Sequence, residues 1–288
     1  MSVLIEQFGQ PMAFSSEPWV ILSDIERSIK AKIEKYGTPL KDWNISIYRG
    51  ILTGCNEAFI IDETKKEELI RKDPKSAEII RPILRGKDIK RYGFNFADLY
   101  LIATHNGYGD TLRVNIENYP AVKEWLDKGG IAYNGKTYKG YETIAARADQ
   151  GDTPYNLRSC AYMDDFNKPK IIYQELSQGS RFAFDSDGTF FVSNTAYLLT
   201  GEHLEYLLKV LNSKIIEFVF RNYYSTSMGE TGLRWLNQYI VNQPIPKPTE
   251  KIIEQLQTAS ESDVEKILEK LYDLSDSEMQ FISDSVNL

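Results

Sequence analysis

The sequence predicts an α+β fold, mixed and strand-rich through its middle and helical at its C-terminal end. Two observations give that class. Between residues 41 and 200, short apolar runs at 45–51, 58–61, 99–103, 171–174, 181–184 and 190–192 are separated by turn residues. Beyond Thr200, the apolar residues Leu204, Leu207, Leu208, Leu211, Ile215, Phe218 and Val219 recur at helical spacing. Strands that do not alternate simply with helices argue against a doubly wound parallel sheet, and so against a nucleotide cofactor bound by this chain itself.

Taken in order, residues 1–17 read as a linker, with Pro11 among small polar residues. Trp19, Leu22, Ile25, Ile29, Ile33 and Tyr36 then mark one face of an amphipathic helix that Gly37-Thr-Pro39 ends. It is expected to pack on the rest of the chain or on a domain outside it. Helical inserts are expected at 64–71, 119–128 and 141–148, and Asp185-Ser-Asp-Gly188 between two aromatic runs reads as a hairpin. Thr200 is placed to cap the long helix that follows. Gln243-Pro-Ile-Pro-Lys-Pro248 breaks that helical region and Thr249 starts the next helix. Capping boxes at Ser262 with Glu265 and at Ser275 with Glu278 predict short helices to the end. Three regions result: 1–40 as linker and connecting helix, 41–200 as the mixed domain, and 201–288 as a helical support with an acidic tail.

The 288 residues are 42% hydrophobic and 26% charged, the balance of a soluble globular protein. The N-terminus has no basic, long-apolar leader, and no run approaches the ~18 apolar residues of a membrane span, so a cytoplasmic protein without a membrane partner is expected. Cys55 and Cys160 are too few for a disulfide framework, and with only His105 and His203 they show no zinc spacing. The net charge of −7 argues at first against a nucleic-acid partner. Its distribution removes the objection: residues 250–288 hold ten acids against three lysines, which accounts for the whole imbalance. Within the neutral remainder, Arg81, Arg85, Lys87, Lys90 and Arg91 surround the single acid Asp88, a local basic patch compatible with DNA or with a solvated turn.

Polar side chains in turn-like stretches are the candidate DNA contacts, because groove edges are read by Arg, Lys, Asn and Gln while other basic and small polar groups fix phosphates. Arg49, Thr53 and Asn56 lie in a loop flanked by Gly50 and Gly54, where Gly54 and Asn56 equally supply an ordinary self-bonded turn. Arg85 and Lys87 flank Gly86 and suit phosphates, or else form a surface turn paired with Asp88; Arg91 closes the same basic run. Gln174, Ser177, Gln178 and Arg181 cluster around Gly179, as a base-reading element or an exposed hairpin loop. Tyr224 and Ser227 sit in a loop at 222–232 whose tyrosines either meet DNA or close the core. Lys139 lies among Tyr133, Tyr138, Tyr141, Lys136 and Arg147, an interleaving of aromatics and bases. Arg158 ends Gly151-Asp-Thr-Pro-Tyr-Asn-Leu-Arg158.

No catalytic or metal-binding set emerges. The sequence lacks the Asn-Pro-Pro-Tyr or Asp-Pro-Pro-Tyr tetrapeptide that holds a flipped adenine, and Gly107-Tyr-Gly109 is a lone turn-like pair. Asp164 and Asp165 precede Glu175-Leu-Ser177, which lacks the lysine of a nuclease Glu-x-Lys motif. His105 and His203 have no nucleophile at triad spacing.

Segments 48–62 and 79–92 resemble the opening of the TaqI-like C-terminal specificity domain, the target recognition region that follows the methyltransferase domain in type IIG restriction–modification enzymes and related adenine methyltransferases. The resemblance continues through Gly151-Asp-Thr-Pro-Tyr-Asn-Leu-Arg158, Phe166-Asn-Lys-Pro-Lys-Ile-Ile-Tyr-Gln174, Leu208-Lys-Val-Leu-Asn-Ser-Lys214, Ile245-Pro-Lys-Pro248 and Ile267-Leu-Glu-Lys-Leu-Tyr-Asp-Leu-Ser275. It spans residues 18–282, and the Leu211-Asn-Ser-Lys214 helix followed by the Pro244-Ile-Pro246 break also resembles half of a type I specificity subunit. The resemblance implies a module that binds a short duplex DNA sequence and positions an adenine for a methyltransferase domain or subunit absent from the chain. S-adenosylmethionine, with or without magnesium, is then expected on that partner and no cofactor here. Two other readings stay open: a DNA nuclease or methyltransferase acting alone through unrecognised motifs, and a helical protein-interaction module.

Overall fold

The computed structural model describes residues 22–225 and 232–286. The expected linker, Trp19 and Ser227 lie outside them. Helix α1 (Asp24–Tyr36) begins at Ser23, whose hydroxyl and backbone exchange hydrogen bonds with Glu26 as a capping box. Its apolar face buries Ile29 and Ile33 against the C-terminal helices, so it packs on the rest of the chain. Thr38–Pro39 then pairs antiparallel with Pro244–Ile245, which ties the end of α1 to the proline break.

The middle of the chain builds β1 (Ile45–Arg49), β2 (Ile60–Asp62), α2 (Glu63–Lys72), β3 (Ile80–Leu84), β4 (Leu99–Ile102) and α3 (Pro120–Lys128). After a short helix at Tyr141–Ala145 come β5 (Lys170–Gln174), β6 (Phe182–Asp185), β7 (Phe191–Val192) and β8 (Ala196–Gly201). One sheet has the order β6-β5-β8-β1 and is antiparallel throughout. The other, β7-β3-β4-β2, is mixed, with β7 parallel to β3. Small mixed sheets followed by helices make the class α+β, as the sequence predicts.

The antiparallel sheet lies between two cores. Ile171, Tyr173, Phe182, Tyr197 and Leu199 face a core formed with the helices, while Ile172, Ala183 and Leu198 face a core shared with the second sheet. All five residues of β5 are therefore buried. The chain crosses between sheets just after β1: Gly50 N–H donates to Ala196 O and Ile51 N–H to Val192 O, at 2.9 and 2.8 Å. Only glycine fits at position 50, since a Cβ there would lie 2.2 Å from Ser193 O.

The C-terminal helices are α4 (Leu204–Leu211), α5 (Lys214–Val219), α6 (Glu250–Gln257), α7 (Glu261–Tyr272) and α8 (Asp276–Val286). Four local expectations are corrected here. Asp185-Ser-Asp-Gly188 does not join a hairpin, because β6 and β7 belong to different sheets; the Asp185 carboxylate instead accepts Thr189 and Phe190 N–H and pairs with buried Lys170. Thr200 stays in β8, held extended by pairing with Ser46, and α4 starts after His203. The helix beyond is not continuous, since the Asn212 amide turns to bond both backbone groups of Phe182 and Ser213 caps a new start. Ser260 rather than Ser262 caps α7, leaving Glu265 to accept Lys214 N–H at 2.6 Å, at the head of α5.

Candidate nucleic-acid interface

Arg49 ends β1, where its Nε–H donates to Asn194 O at 2.9 Å and its Nη2 to Glu175 Oε2 at 2.7 Å. It borders a concavity of about 330 Å³ that also takes in Gly50, Leu52, Arg158 and Asn194. Arg158 is exposed and lies 3.5 Å from Asp149. The wall beside Arg49 is aromatic: Tyr162 stacks on Tyr48 at 4.2 Å and donates its hydroxyl to Arg49 O at 3.0 Å. Burial pushes the Tyr162 phenol up to about 12, so it remains a donor at neutral pH.

Behind this surface sits Arg147, only 6% exposed. Its guanidinium donates to the carbonyls of Thr53, Asp149, Pro154 and Asn156 and packs over the Phe59 ring. Burial pulls it down to about 10, which still leaves it charged. Arg147 thus stands inside rather than on an exposed run of aromatics and bases, and Tyr138 of that run is buried as well. Asn156 extends the brace by donating to Val114 O at 2.9 Å and His105 O at 3.3 Å. Gly54 lets the chain fold over this centre at φ +66°, where a Cβ would press on Asp149 at 3.1 Å. Loops 50–56, 105–114 and 149–158 are consequently one braced group.

The remaining candidates divide by burial. Thr53 is buried and donates to Asn56 Oδ1 at 2.6 Å, while Asn56 itself is exposed. Gln174 is buried and donates to Ile89 O at 2.6 Å. Ser177 is buried between Gly179 O and the Trp235 indole N–H. Arg85 holds Asp88 in a bidentate pair at 2.8 and 2.9 Å, leaving Lys87 exposed at the turn. Arg91 reaches the helical region, donating to Asn212 O at 2.9 Å and pairing with Glu261 at 2.7 Å. It lines a recess of about 460 Å³ with Gln178, Arg181 and Arg221. Lys139 is exposed after the strand pair Gly130–Ile131 and Thr137–Tyr138. Tyr224 donates to Glu34 at 3.2 Å and Tyr223 to Glu26 O at 2.9 Å, so both tyrosines pack against α1.

Two residues passed over in the sequence border the same surface as Arg49. Asn194 supplies the carbonyl that fixes the arginine, and Arg234 reaches Glu175 from the opposite side at 3.1 Å. No local pattern marks either, because Asn194 meets Arg49, and Arg234 meets Glu175, only through tertiary pairing.

The features that the sequence offers for a cofactor or metal are engaged elsewhere among the described residues. Gly107 and Gly109 flank a tight turn in which Tyr108 and Thr111 exchange backbone hydrogen bonds, rather than a loop running from strand into helix. Asp165 is engaged by Thr200 and Lys168 while Glu175 faces the two arginines, and no three His, Cys, Asp or Glu side chains converge among the described residues. None of the described helices is long and apolar enough to cross a membrane.

The family model of the TaqI-like C-terminal specificity domain matches residues 81–245. The type II methyltransferase M.BanIII of Aneurinibacillus aneurinilyticus is 22% identical over 257 residues, which cover 84% of this chain and 42% of that protein. Two solved structures share the fold. The type IIL restriction-modification enzyme MmeI, in complex with DNA, matches with a TM-score of 0.50 at 17% identity over 86% of this chain and 32% of its own. The type IIG restriction endonuclease BpuSI matches with a TM-score of 0.53 at 15% identity over 92% of this chain and 32% of its own. The chain therefore spans less than half the length of M.BanIII and about a third of each solved enzyme.

Proposed function

The chain belongs to the TaqI-like C-terminal specificity domain family, and from that premise we propose that it reads a short duplex DNA sequence for a restriction–modification enzyme. Its further role is to present a target adenine to an N6-methyltransferase domain or subunit that this chain does not contain. The observation that carries the reading is the concavity where Arg49 and Arg158, from motifs far apart in sequence, meet at the edge of three braced loops. Base reading requires donors held rigidly at a surface, and phosphate contact requires exposed cations near them. Arg49, Asn56 and Arg158 satisfy these conditions, with Lys87 and Lys139 as further exposed cations.

In this scheme residues 41–200 carry most of the reading surface and residues 201–288 support it, with Arg234 reaching back from that support to Glu175. S-adenosylmethionine belongs to the catalytic partner, as does magnesium where cleavage accompanies methylation, and the setting is the cytoplasm. Labelled random duplex titrated with the full chain should bind at 50 mM salt and lose affinity on the order of 40-fold by 200 mM, for a footprint of about three phosphates. Arg158→Ala and Lys139→Ala should each shallow the salt dependence by about one contact. A folded chain with no affinity at the lower salt would overturn the reading.

A further inference from the structure

Glu175 follows β5 with its backbone held on both sides. Its N–H donates to Thr195 O at 3.0 Å and its carbonyl accepts from Trp235 N–H at 2.8 Å. The carboxylate bridges two arginines, taking Arg49 on Oε2 at 2.7 Å and Arg234 on Oε1 at 3.1 Å. The Glu175 side chain is only 15% exposed, whereas those of Arg49 and Arg234 remain 53% and 43% exposed. One sunken carboxylate therefore holds two guanidiniums that still face solvent.

The donors left over are informative. A guanidinium carries five N–H groups in a planar fork. Arg49 uses its Nε–H on Asn194 O and one Nη2 hydrogen on Glu175, which among the described residues leaves both Nη1 hydrogens and the second Nη2 hydrogen. One Nη1 hydrogen with the remaining Nη2 hydrogen can form an end-on pair of the kind that matches N7 and O6 on the major-groove edge of guanine. Arg234 spends one Nη2 hydrogen on Glu175. It stands in the short strand Leu233–Arg234, opposite Leu176, an apolar side chain that is itself exposed beside it. The triad carries a net positive charge, as a surface meeting DNA requires. A long side chain fixed in advance also loses less rotamer freedom on docking than a free one.

We propose that Arg49 and Arg234 are guanine-reading residues and that Glu175 is the positioning residue that aims both. The inference rests on the DNA-recognition reading above. It restricts the target to a duplex with guanine at two positions.

The test is selection of the full chain against a random duplex pool, followed by sequencing of the bound fraction. The wild-type chain should enrich a site with two required guanines, and 7-deazaguanine at either should weaken binding through the missing N7. Arg49→Ala should relax one position and Arg234→Ala the other, each by about 5- to 150-fold in discrimination. Glu175→Gln should blur both while leaving the salt slope at its wild-type value. Arg234→Lys keeps the ion pair but lacks the fork, so it should relax its position even if the alanine and glutamine variants fold poorly. An enriched site whose base preferences survive Arg49→Ala, Arg234→Ala and Arg234→Lys would reduce the triad to a structural clamp while sparing the DNA reading. Absence of any DNA binding by the wild-type chain would overturn both.

Discussion

Two buried cations, Arg147 and Lys170, are accommodated by different means. Arg147 has no carboxylate partner among the described residues; its two Nη groups donate to four carbonyls, while its buried Nε finds no partner among them. That solution suits a hub, since each carbonyl belongs to a loop segment that the guanidinium fixes. Lys170 is fully buried and instead meets Asp185 at 2.6 Å, with Phe166 O at 2.7 Å. Burial pulls its ammonium below the ordinary lysine range against the opposing pull of Asp185. Asp185→Asn leaves that charge without a counter-ion and should cost about 3–5 kcal/mol in urea unfolding. Adding Lys170→Met to Asp185→Asn should recover part of the loss, because the uncompensated charge is then gone. An Asp185→Asn variant as stable as wild type would show that the pair contributes nothing.

At the scale of elements, helix ends hold the C-terminal region to α1. Glu278 closes the capping box of α8 by accepting Ser275 N–H at 2.7 Å, and it also accepts from Ser28 and Lys32 of α1, each at 2.7 Å. Burial pushes its carboxyl up, but the bonds from Lys32, Ser275 and Ser28 outweigh that and hold it down to about 2. Its unfolded value is near 4.3, so the stabilisation is fully present above that pH and is lost as pH falls toward 2. Glu278→Gln should remove on the order of 2–3 kcal/mol at neutral pH and flatten the acid limb of stability below pH ~4.5. An acid limb identical to wild type in denaturation measured across that range would exclude Glu278 as its source. The Ser275–Glu278 box was legible in the sequence because capping is local, as were α1, α2 and α3. Strand β8 was not, since Ala196-Tyr-Leu-Leu-Thr has both faces buried and therefore shows no alternation. Strand β3 was masked by Pro82 and by the arginines around it.

Across the whole molecule, what sequence could and could not reveal follows contact distance. The loops holding Arg49 and Arg158 were visible as local runs of glycine and polar residues. That Arg234 joins Arg49 on Glu175, or that Thr53, Gln174 and Ser177 turn inward, depends on pairings between distant strands. The same distances decide how the molecule should unfold. Leu198 and Leu199 are neighbours in β8 but face different cores, one shared with the second sheet and one with the helices. Both lie on strands of a single hydrogen-bonded sheet, and Arg91 spans from the middle of the chain to Asn212 and Glu261. Removing the Leu199 side chain costs about 2–5 kcal/mol on the helical side. Because a sheet cannot lose one face and keep the other packed, that cost should reach the second sheet as well. Hydrogen exchange on Leu199→Ala should show protection falling by the same free energy in β4 and in α7. If only α7 loses protection, the helical region opens by itself and the shared sheet does not couple it to the second sheet.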